Sequence, residues 1–230
     1  MFDCSDEIVP ALTHVVNESL LSGTFPTVFK HVIVKPLLKK TSLDPNDLKN
    51  FRPVSKLSFF SKLLEKVVMS QLFDRLNTNG LWPWFQSAYL ASHSTETALL
   101  GVLTDLLTAS DDGQVSLLTL LDLSAAFDTI DHDILLHRLE QVFGIQNSAL
   151  SFLRSYLTER KQTVPISGYS SNSSTLLYGL PQGSVLGPIL FLLSISVSDR
   201  MVYCTLGVTL SVSERMVYST PCVTMFQTGW

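Results

Sequence analysis

Two short segments of the sequence combine residue types that could take part in chemistry. The first is Leu-Asp-Leu-Ser-Ala-Ala-Phe-Asp at 121–128, which ends an apolar run that starts at Val115. A carboxylate at the end of a buried strand is unfavourable unless it binds a partner, and at the C-terminal edge of a sheet it can hold a cation. Asp122 is therefore a candidate metal ligand. The alternative for the same octapeptide is a turn or helix-capping aspartate.

The second segment is a loop rich in glycine and proline, Leu-Pro-Gln-Gly-Ser-Val-Leu-Gly-Pro at 180–188. Gly183 and Gly187 allow a backbone to come close to a ligand. The Gln182 amide can both donate and accept hydrogen bonds. The pattern indicates a ligand-binding loop, and the alternative is a turn that binds nothing.

The charges are divided unevenly along the chain. The whole sequence of 230 residues has a net charge of −4, which by itself argues against nucleic-acid binding. Residues 30–66, however, contain nine basic and three acidic residues, a net charge of +6. Residues 96–140 contain nine acidic residues and one arginine, a net charge of −8. A basic segment can neutralise phosphates and an acidic segment can hold divalent cations, as in an enzyme that acts on a polyanion; the alternative is two solvated faces.

The spacing of apolar residues predicts alternating helices and strands around these segments. Helices are predicted at 6–22, 61–76, from Ser94 or Thr95 to 110, at 133–143, at 149–157 and from 187 onward. Strands are predicted at 31–38 (ended or split by Pro36), at 115–123 (buried on both faces), at 162–166 and at 174–178. This order is typical of an α/β (α+β) enzyme core.

The C-terminal residues have a different pattern. Residues 198–205 recur at 213–220 with an offset of 15 residues, and two copies of so short a unit cannot bury a core of their own. We interpret 194–230 as an unrelated, repeat-like tail translated from tandem-repeat DNA. The alternative is a pair of β-hairpins.

Composition and short patterns exclude several classes of protein. With 46% hydrophobic and 16% charged residues, the chain is too apolar for a disordered tail. No apolar run approaches the roughly 18 residues of a membrane span, and the N-terminus lacks the apolar segment of a secretory signal. The three cysteines and five histidines have no metal-ligand or disulfide spacing. The sequence predicts an intracellular protein, nuclear or cytoplasmic, with no membrane partner.

Five ordered blocks resemble the reverse transcriptases of LINE-type (non-LTR) retrotransposons, from about Ile8 to Leu193. The blocks are residues 37–40 with 50–55, 61–66, 86–89 with 93–98, 122–128 and 181–184. The resemblance implies the fingers and an incomplete palm of a right-hand polymerase. A helical lead-in at 1–30 would precede a fingers-like region at 31–110 and a partial palm at 111–193.

The resemblance also implies a reaction, its partners and residue roles. The family's reaction is RNA-templated DNA synthesis by two-metal nucleotidyl transfer with Mg²⁺, and its partners are an RNA template, a DNA primer and deoxynucleotides. Asp128 recurs in the family without an evident metal role. The implied roles are catalytic carboxylate and metal ligand for Asp122, metal contact through its carbonyl for Leu123, nucleotide binding for Phe127, Gln182 and Gly183, and template contact for Lys39, Lys40 and Arg52.

The sequence departs from the family pattern in two places. Leu90 stands where the family usually has an arginine, and no Asp-Asp pair follows Gln182, where the family has an aromatic-x-Asp-Asp hairpin with the other metal carboxylates. One palm carboxylate cannot hold two Mg²⁺ ions against water. We therefore expect a reverse transcriptase fragment, truncated before that motif, that does not polymerise alone. The alternatives are a non-catalytic nucleic-acid-binding remnant and an unstable product of a decayed element.

Overall fold

The computed structural model describes residues 5–82, 86–122, 126–166, 168–195, 201–205, 208–213 and 222–227. The chain forms two compact units. The first consists of Met1–Arg75 with Phe127–Ser194, and the second of Leu76–Ala126 with Ile195–Trp230. These units do not follow the four segments drawn from the sequence, which stay a prediction.

Helices and strands alternate along the described part of the chain, which confirms the α/β class. No helix within the described ranges has the length and apolar content that a membrane span needs. The helices are α1 (Ser5–Ser22), α2 (Phe59–Thr78), α3 (Thr95–Asp111), α4 (His132–Gln141), α5 (Asn147–Leu157) and α6 (Gly187–Ser194). The strands are β1 (His31–Leu38), β2 (Phe51–Lys56), β3 (Leu117–Asp122), β4 (Lys161–Thr163), β5 (Pro165–Ile166), β6 (Tyr169–Ser170), β7 (Ser174–Thr175), β8 (Met201–Thr205), β9 (Val208–Ser213) and β10 (Cys222–Gln227).

The main sheet of the first unit has the strand order β2-β1-β4-β7. Strands β1 and β2 form an antiparallel hairpin, and β4 pairs parallel with β1 over His31–Ile33 only. The predicted break at Pro36 is wrong, because β1 continues through it with Pro36 opposite Pro53. The Lys39 N–H donates to the Asn50 carbonyl at 2.8 Å, so the alternation of the ladder makes the two prolines a non-hydrogen-bonded pair. In such a pair each backbone nitrogen faces away from the partner strand. The β1–β2 ladder therefore needs no N–H donor from either proline.

The core of the first unit is built from the apolar faces of its helices. Helix α5 packs against α1 and α4, and α4 packs against α6. Three- and four-residue spacing places the buried side chains of each helix on one face. On α4 these are Leu135, Leu136 and Leu139, and on α5 they are Phe152, Leu153, Tyr156 and Leu157.

An aromatic cluster joins the segment after α1 to α5. The Phe25 ring is fully buried and makes edge-to-face contacts with Phe152 and Tyr156, with ring centroids 5.8 and 5.1 Å apart. The Arg160 guanidinium, 1% exposed, lies 5.4 Å from the Phe25 ring centroid and 4.6 Å from that of Tyr156. The cluster thus encloses a positive charge between two aromatic faces.

The second unit contains α3 and a sheet with the order β3-β10-β9-β8. Helix α3 begins at a capping box between Ser94 and Thr97, and Ser94 is one of its two predicted starts. Strand β3 pairs parallel with β10, while β8–β9 and β9–β10 are antiparallel. Residues of the repeat-containing segment therefore form strands. Of the first copy, residues 201–205 form β8, and Ser213, the first residue of the second copy, is the last residue of β9.

The prediction that 115–123 is a strand buried on both faces is only partly correct. The strand is present, but it begins at Leu117, leaving Val115 outside it and 71% exposed. Leu118, within the strand, remains 40% exposed. A strand with both faces covered needs helices on both sides, and α3 is the one complete helix among the described residues of this unit.

We predict that Phe25→Ala lowers the free energy of unfolding of the chain by about 3–5 kcal/mol, the usual cost of an aromatic-to-alanine change in a core. Val28→Ala is the matched control, because Val28 is three residues away and 77% exposed; its effect is expected within about 0.5 kcal/mol. Urea denaturation followed by circular dichroism measures both. Equal losses in the two variants would contradict a core role for Phe25.

Candidate functional site

The 180–188 loop lies beside the backbone that follows Ala126. The Gly179 N–H donates to the Ile130 carbonyl at 2.8 Å, and the Leu180 N–H donates to the Phe127 carbonyl at 2.7 Å. Gly179 has a φ of +82°, and a Cβ added there would lie 2.8 Å from the Phe127 oxygen. This close approach requires glycine. Two of the sequence-predicted blocks, which lie far apart in the chain, are therefore in direct contact through Phe127.

His132 supports the same contact from the start of α4. The side chain of Asp131 caps this helix by accepting the N–H groups of Asp133 and Ile134. The cap orients the buried His132, whose Nε2 lies 2.8 Å from the Gly179 carbonyl oxygen. Because a carbonyl can only accept, Nε2 carries the hydrogen. His132 is therefore a structural residue of α4 that supports the loop.

The loop also joins the edge of the main sheet. The Ser55 N–H on β2 donates to the Gln182 carbonyl at 2.8 Å. Strand β2 is an edge strand, and the register of the hairpin points the Ser55 N–H away from β1. Gly183 has a φ of +98°, and a Cβ there would lie 3.2 Å from the Ser55 oxygen. The predicted nucleotide-binding pair, Gln182 and Gly183, is thus held against β2.

Asp128 contacts the side chain of Gln182. Although the residue is exposed as a whole, its carboxyl group accepts a hydrogen bond from the Gln182 side chain. Partial burial raises the pKa of Asp128, and the bond from Gln182 opposes this rise by favouring the ionised form. Both side chains line a cavity of about 450 Å³ together with Ser55, Gln162 and Tyr178. The cavity is within the size range of small-ligand sites.

Phe127 is fixed by the helix that follows the loop. Its half-buried ring stacks on Phe191 of α6, with centroids 5.0 Å apart and an angle of 30° between the planes. This stacking places Phe127, Gln182 and Gly183 in one region of the first unit.

The sequence analysis did not recognise the role of Glu65. This α2 residue is 0% exposed, and its Oε2 accepts the N–H groups of Val185 and Leu186 at 2.7 and 3.2 Å. A signal was available, because Glu65 falls on the same helical face as Leu64, Val68 and Leu72. An acid among core positions is rarely left without partners.

The predicted template residues lie on the β1–β2 hairpin. Lys39 and Lys40 are exposed in the turn that follows β1. Arg52 is partly exposed on β2, opposite Leu37. The hairpin therefore carries Lys39 and Lys40 in its connecting segment and Arg52 on β2, the strand that contacts the loop through Ser55.

The predicted metal residues belong to the second unit. Asp122 is the last residue of β3 in the second unit, paired with Gln227 of β10, and Leu123 lies outside the described residues. Within the described ranges, no group of three or more His, Cys, Asp or Glu residues could hold a metal ion.

Comparison with known proteins gives one consistent family. A family model described as reverse transcriptase (RNA-dependent DNA polymerase) matches residues 38–212, a range that includes part of the predicted tail. The RNA-directed DNA polymerase from mobile element jockey of Drosophila melanogaster is 30% identical over 194 residues, which cover 84% of this chain and 21% of that protein.

Two further Drosophila melanogaster proteins are similar over much the same part of the chain. The probable RNA-directed DNA polymerase from transposon X-element is 30% identical over 182 residues, 79% of this chain and 20% of that protein. The probable RNA-directed DNA polymerase from transposon BS is 29% identical over 180 residues, which cover 78% of this chain and 20% of that protein. The chain thus spans about a fifth of the length of the curated relatives it matches.

We predict that the Asp128 carboxyl titrates above its ordinary pKa of 3.8 and that Gln182→Ala raises this pKa further, because it removes the bond that favours the ionised form. Side-chain ¹³C NMR over a pH series measures both. Since the folded protein holds this proton more tightly than the unfolded chain, the associated stability is present below the unfolded pKa and lost as pH rises through the folded pKa. Thr175→Ala, in the same cavity lining, is the control and should leave the titration unchanged; a fall in the pKa of Gln182→Ala would contradict the contact.

Proposed function

Because the chain belongs to the reverse transcriptase family, we propose that its first unit holds the incoming deoxynucleotide at the 180–188 loop and an RNA template along the β1–β2 hairpin. It is a reverse transcriptase domain of the non-LTR retrotransposon type. The proposal extends to this chain the template and nucleotide binding that the RNA-directed DNA polymerase activity named for its relatives requires.

The hydrogen bond between the Ser55 N–H and the Gln182 carbonyl carries this proposal. A templated polymerase must hold the template base and the incoming nucleotide in a fixed register, because a misplacement of about 1 Å is enough to lower the rate strongly. The bond fixes the predicted nucleotide contact against the strand that also carries Arg52. Template and nucleotide contacts would then share one rigid element.

The cavity beside Gln182 favours the neutral part of a nucleotide. Its amides and the Asp128 carboxyl can bond with sugar hydroxyls and base edges. A carboxylate repels phosphate, so the triphosphate would lie outside the cavity, on the exposed side of Gly183. Phe127, stacked on Phe191, would stand beside the sugar, as the resemblance implies.

Proteins of this family generally use a divalent metal ion. In this chain we propose one carboxylate, that of Asp122, as a ligand of such an ion. Asp122, with the Leu123 carbonyl, would contribute ligands to an Mg²⁺ ion, and that ion would supply activation of the primer hydroxyl. One carboxylate does not make a two-ion site. The proposal for the chain by itself is therefore binding of template and nucleotide without synthesis.

We predict that the chain does not extend a DNA primer on an RNA template with Mg²⁺ or Mn²⁺. A primer-extension assay, run beside an active reverse transcriptase, measures this directly. Extension that disappears in Asp122→Asn would show that the chain is a complete enzyme.

We predict salt-dependent binding of a single-stranded RNA by the β1–β2 hairpin. The Lys39→Ala/Lys40→Ala double variant should weaken binding and reduce the slope of log K against log salt by roughly 1.4, since each lysine–phosphate contact contributes about 0.7 on a single strand. Fluorescence anisotropy across a salt series measures affinity and slope together.

Lys66→Ala is the matched control, because Lys66 is an exposed cation of the same basic segment on α2. Equal effects of the two changes would contradict a specific role for the hairpin. Binding of RNA without binding of nucleotide would favour the non-catalytic nucleic-acid-binding alternative.

A further inference from the structure

The structure assigns Glu65 as a positioning residue that holds the 180–188 loop in its nucleotide-binding form. This inference rests on the proposed function, because it gives a role in nucleotide binding to a residue of α2 far from the loop in sequence. Glu65 does not reach the cavity lining. It acts through the backbone of the loop.

The contacts of Glu65 complete the hydrogen bonding at the start of α6. The first N–H groups of a helix have no partner within it. Here the Val185 and Leu186 N–H groups donate to Glu65 Oε2, and the Gly187 N–H donates to the Ser184 hydroxyl at 3.0 Å. The next residue is Pro188, which has no N–H. The donors that lead into this first turn, at Val185, Leu186 and Gly187, are thereby paired.

The negative charge of Glu65 suits this position. A helix N-terminus carries a partial positive charge and commonly binds phosphate or carboxylate. The Glu65 carboxylate already occupies that place at α6, so this helix terminus is closed to the phosphates of a nucleotide. The loop instead offers its other side, with Gln182 and Gly183, to a ligand.

The remaining partners of Glu65 fix the orientation of its carboxylate. The Ser61 hydroxyl donates to Oε1 at 2.9 Å, and the Tyr156 hydroxyl lies 3.4 Å from Oε2. Burial raises the pKa of Tyr156, and the charge of Glu65 raises it further while Arg160 opposes. Tyr156 therefore remains a donor. With four donors, a buried carboxylate can be retained in an apolar core.

The loop is attached to the rest of the first unit on both sides of Gln182, and Glu65 provides an attachment on the C-terminal side. Before Gln182, the loop is bonded to the backbone of Phe127 through Leu180, and at Gln182 itself to Ser55. After Gln182, the buried Ser184 bonds to the Pro181 carbonyl and the Tyr156 side chain, and the Val185 and Leu186 N–H groups donate to Glu65. Of these partners on the C-terminal side, only Glu65 lies on α2, so a weaker bond there loosens the loop relative to α2, and Gln182 samples positions other than the binding one. The expected consequence is a loss of nucleotide affinity that exceeds any loss of global stability.

The test compares Glu65→Gln with Val68→Ala in the full chain. Glutamine keeps the shape and one acceptor oxygen but loses the charge, and hydrogen bonds to a charged group are roughly twice as strong as neutral ones. Val68 is one helical turn further along the same buried face and makes no hydrogen bond to the loop. Two quantities are measured, amide hydrogen exchange at Val185 and Leu186, and the affinity for dATP in the presence of Mg²⁺ and a primer–template.

Glu65→Gln should speed exchange at both amides and weaken dATP binding, each by about tenfold, beyond the change in Val68→Ala. A second variant, Ser61→Ala, tests the same contact if Glu65→Gln does not fold. It removes the donor to Oε1 without touching the loop and should move both quantities in the same direction by a smaller factor.

The outcomes separate the inference from the proposed function. Absence of dATP binding in the unmodified chain contradicts the proposed function, and the role of Glu65 in nucleotide positioning fails with it, whatever the exchange data show. If the unmodified chain binds dATP but Glu65→Gln binds it equally well, Glu65 is a structural residue only. Exchange that rises equally in Glu65→Gln and Val68→Ala also overturns the inference, since the effect would then be one of general stability.

Discussion

The geometry of the first unit depends on the hydrogen bonds of one short backbone segment, the 180–188 loop and the residue before it. Buried backbone groups must be paired, and a loop has no regular ladder to pair them. Three parts of the chain pair these groups: the backbone after Ala126 accepts the N–H groups of Gly179 and Leu180, β2 donates to the Gln182 carbonyl, and α2 accepts the N–H groups of Val185 and Leu186. The loop therefore adopts its shape only when all three elements are folded around it.

The bond between Ser55 and Gln182 also resolves a problem of the sheet. An edge strand exposes unpaired N–H groups and is open to pairing with other chains. At Ser55 the loop covers such a group, so that the same bond protects the edge and positions Gln182. The two requirements, stability of the sheet and placement of a ligand-binding amide, are met by one interaction. A change on either side affects both.

The sequence predicted most elements but few of the contacts between them. Apolar spacing found α2 and α5, and capping chemistry found the start of α3, because both signals are local. The break predicted at Pro36 was wrong because the effect of a proline depends on which side of the strand lacks a donor, and pairing decides that. The acceptor role of Glu65 was missed for a similar reason. Its donors lie 120 residues away in the chain, and no local pattern contains them.

The basic segment 30–66 and the acidic segment 96–140 show that net charge alone does not identify the residues that bind a ligand. The acidic block predicted a cation site, yet two of its members bond to groups of the protein: Asp131 caps α4, and Asp128 accepts a hydrogen bond from Gln182. In the basic block, Lys30 is buried beside Glu159, with 3.8 Å between Nζ and Oε2, and is not free to bind phosphate. Lys39 and Lys40, in contrast, are exposed. The sign of a segment indicates which partners are possible, but burial and the nearest donor determine which residues can bind them.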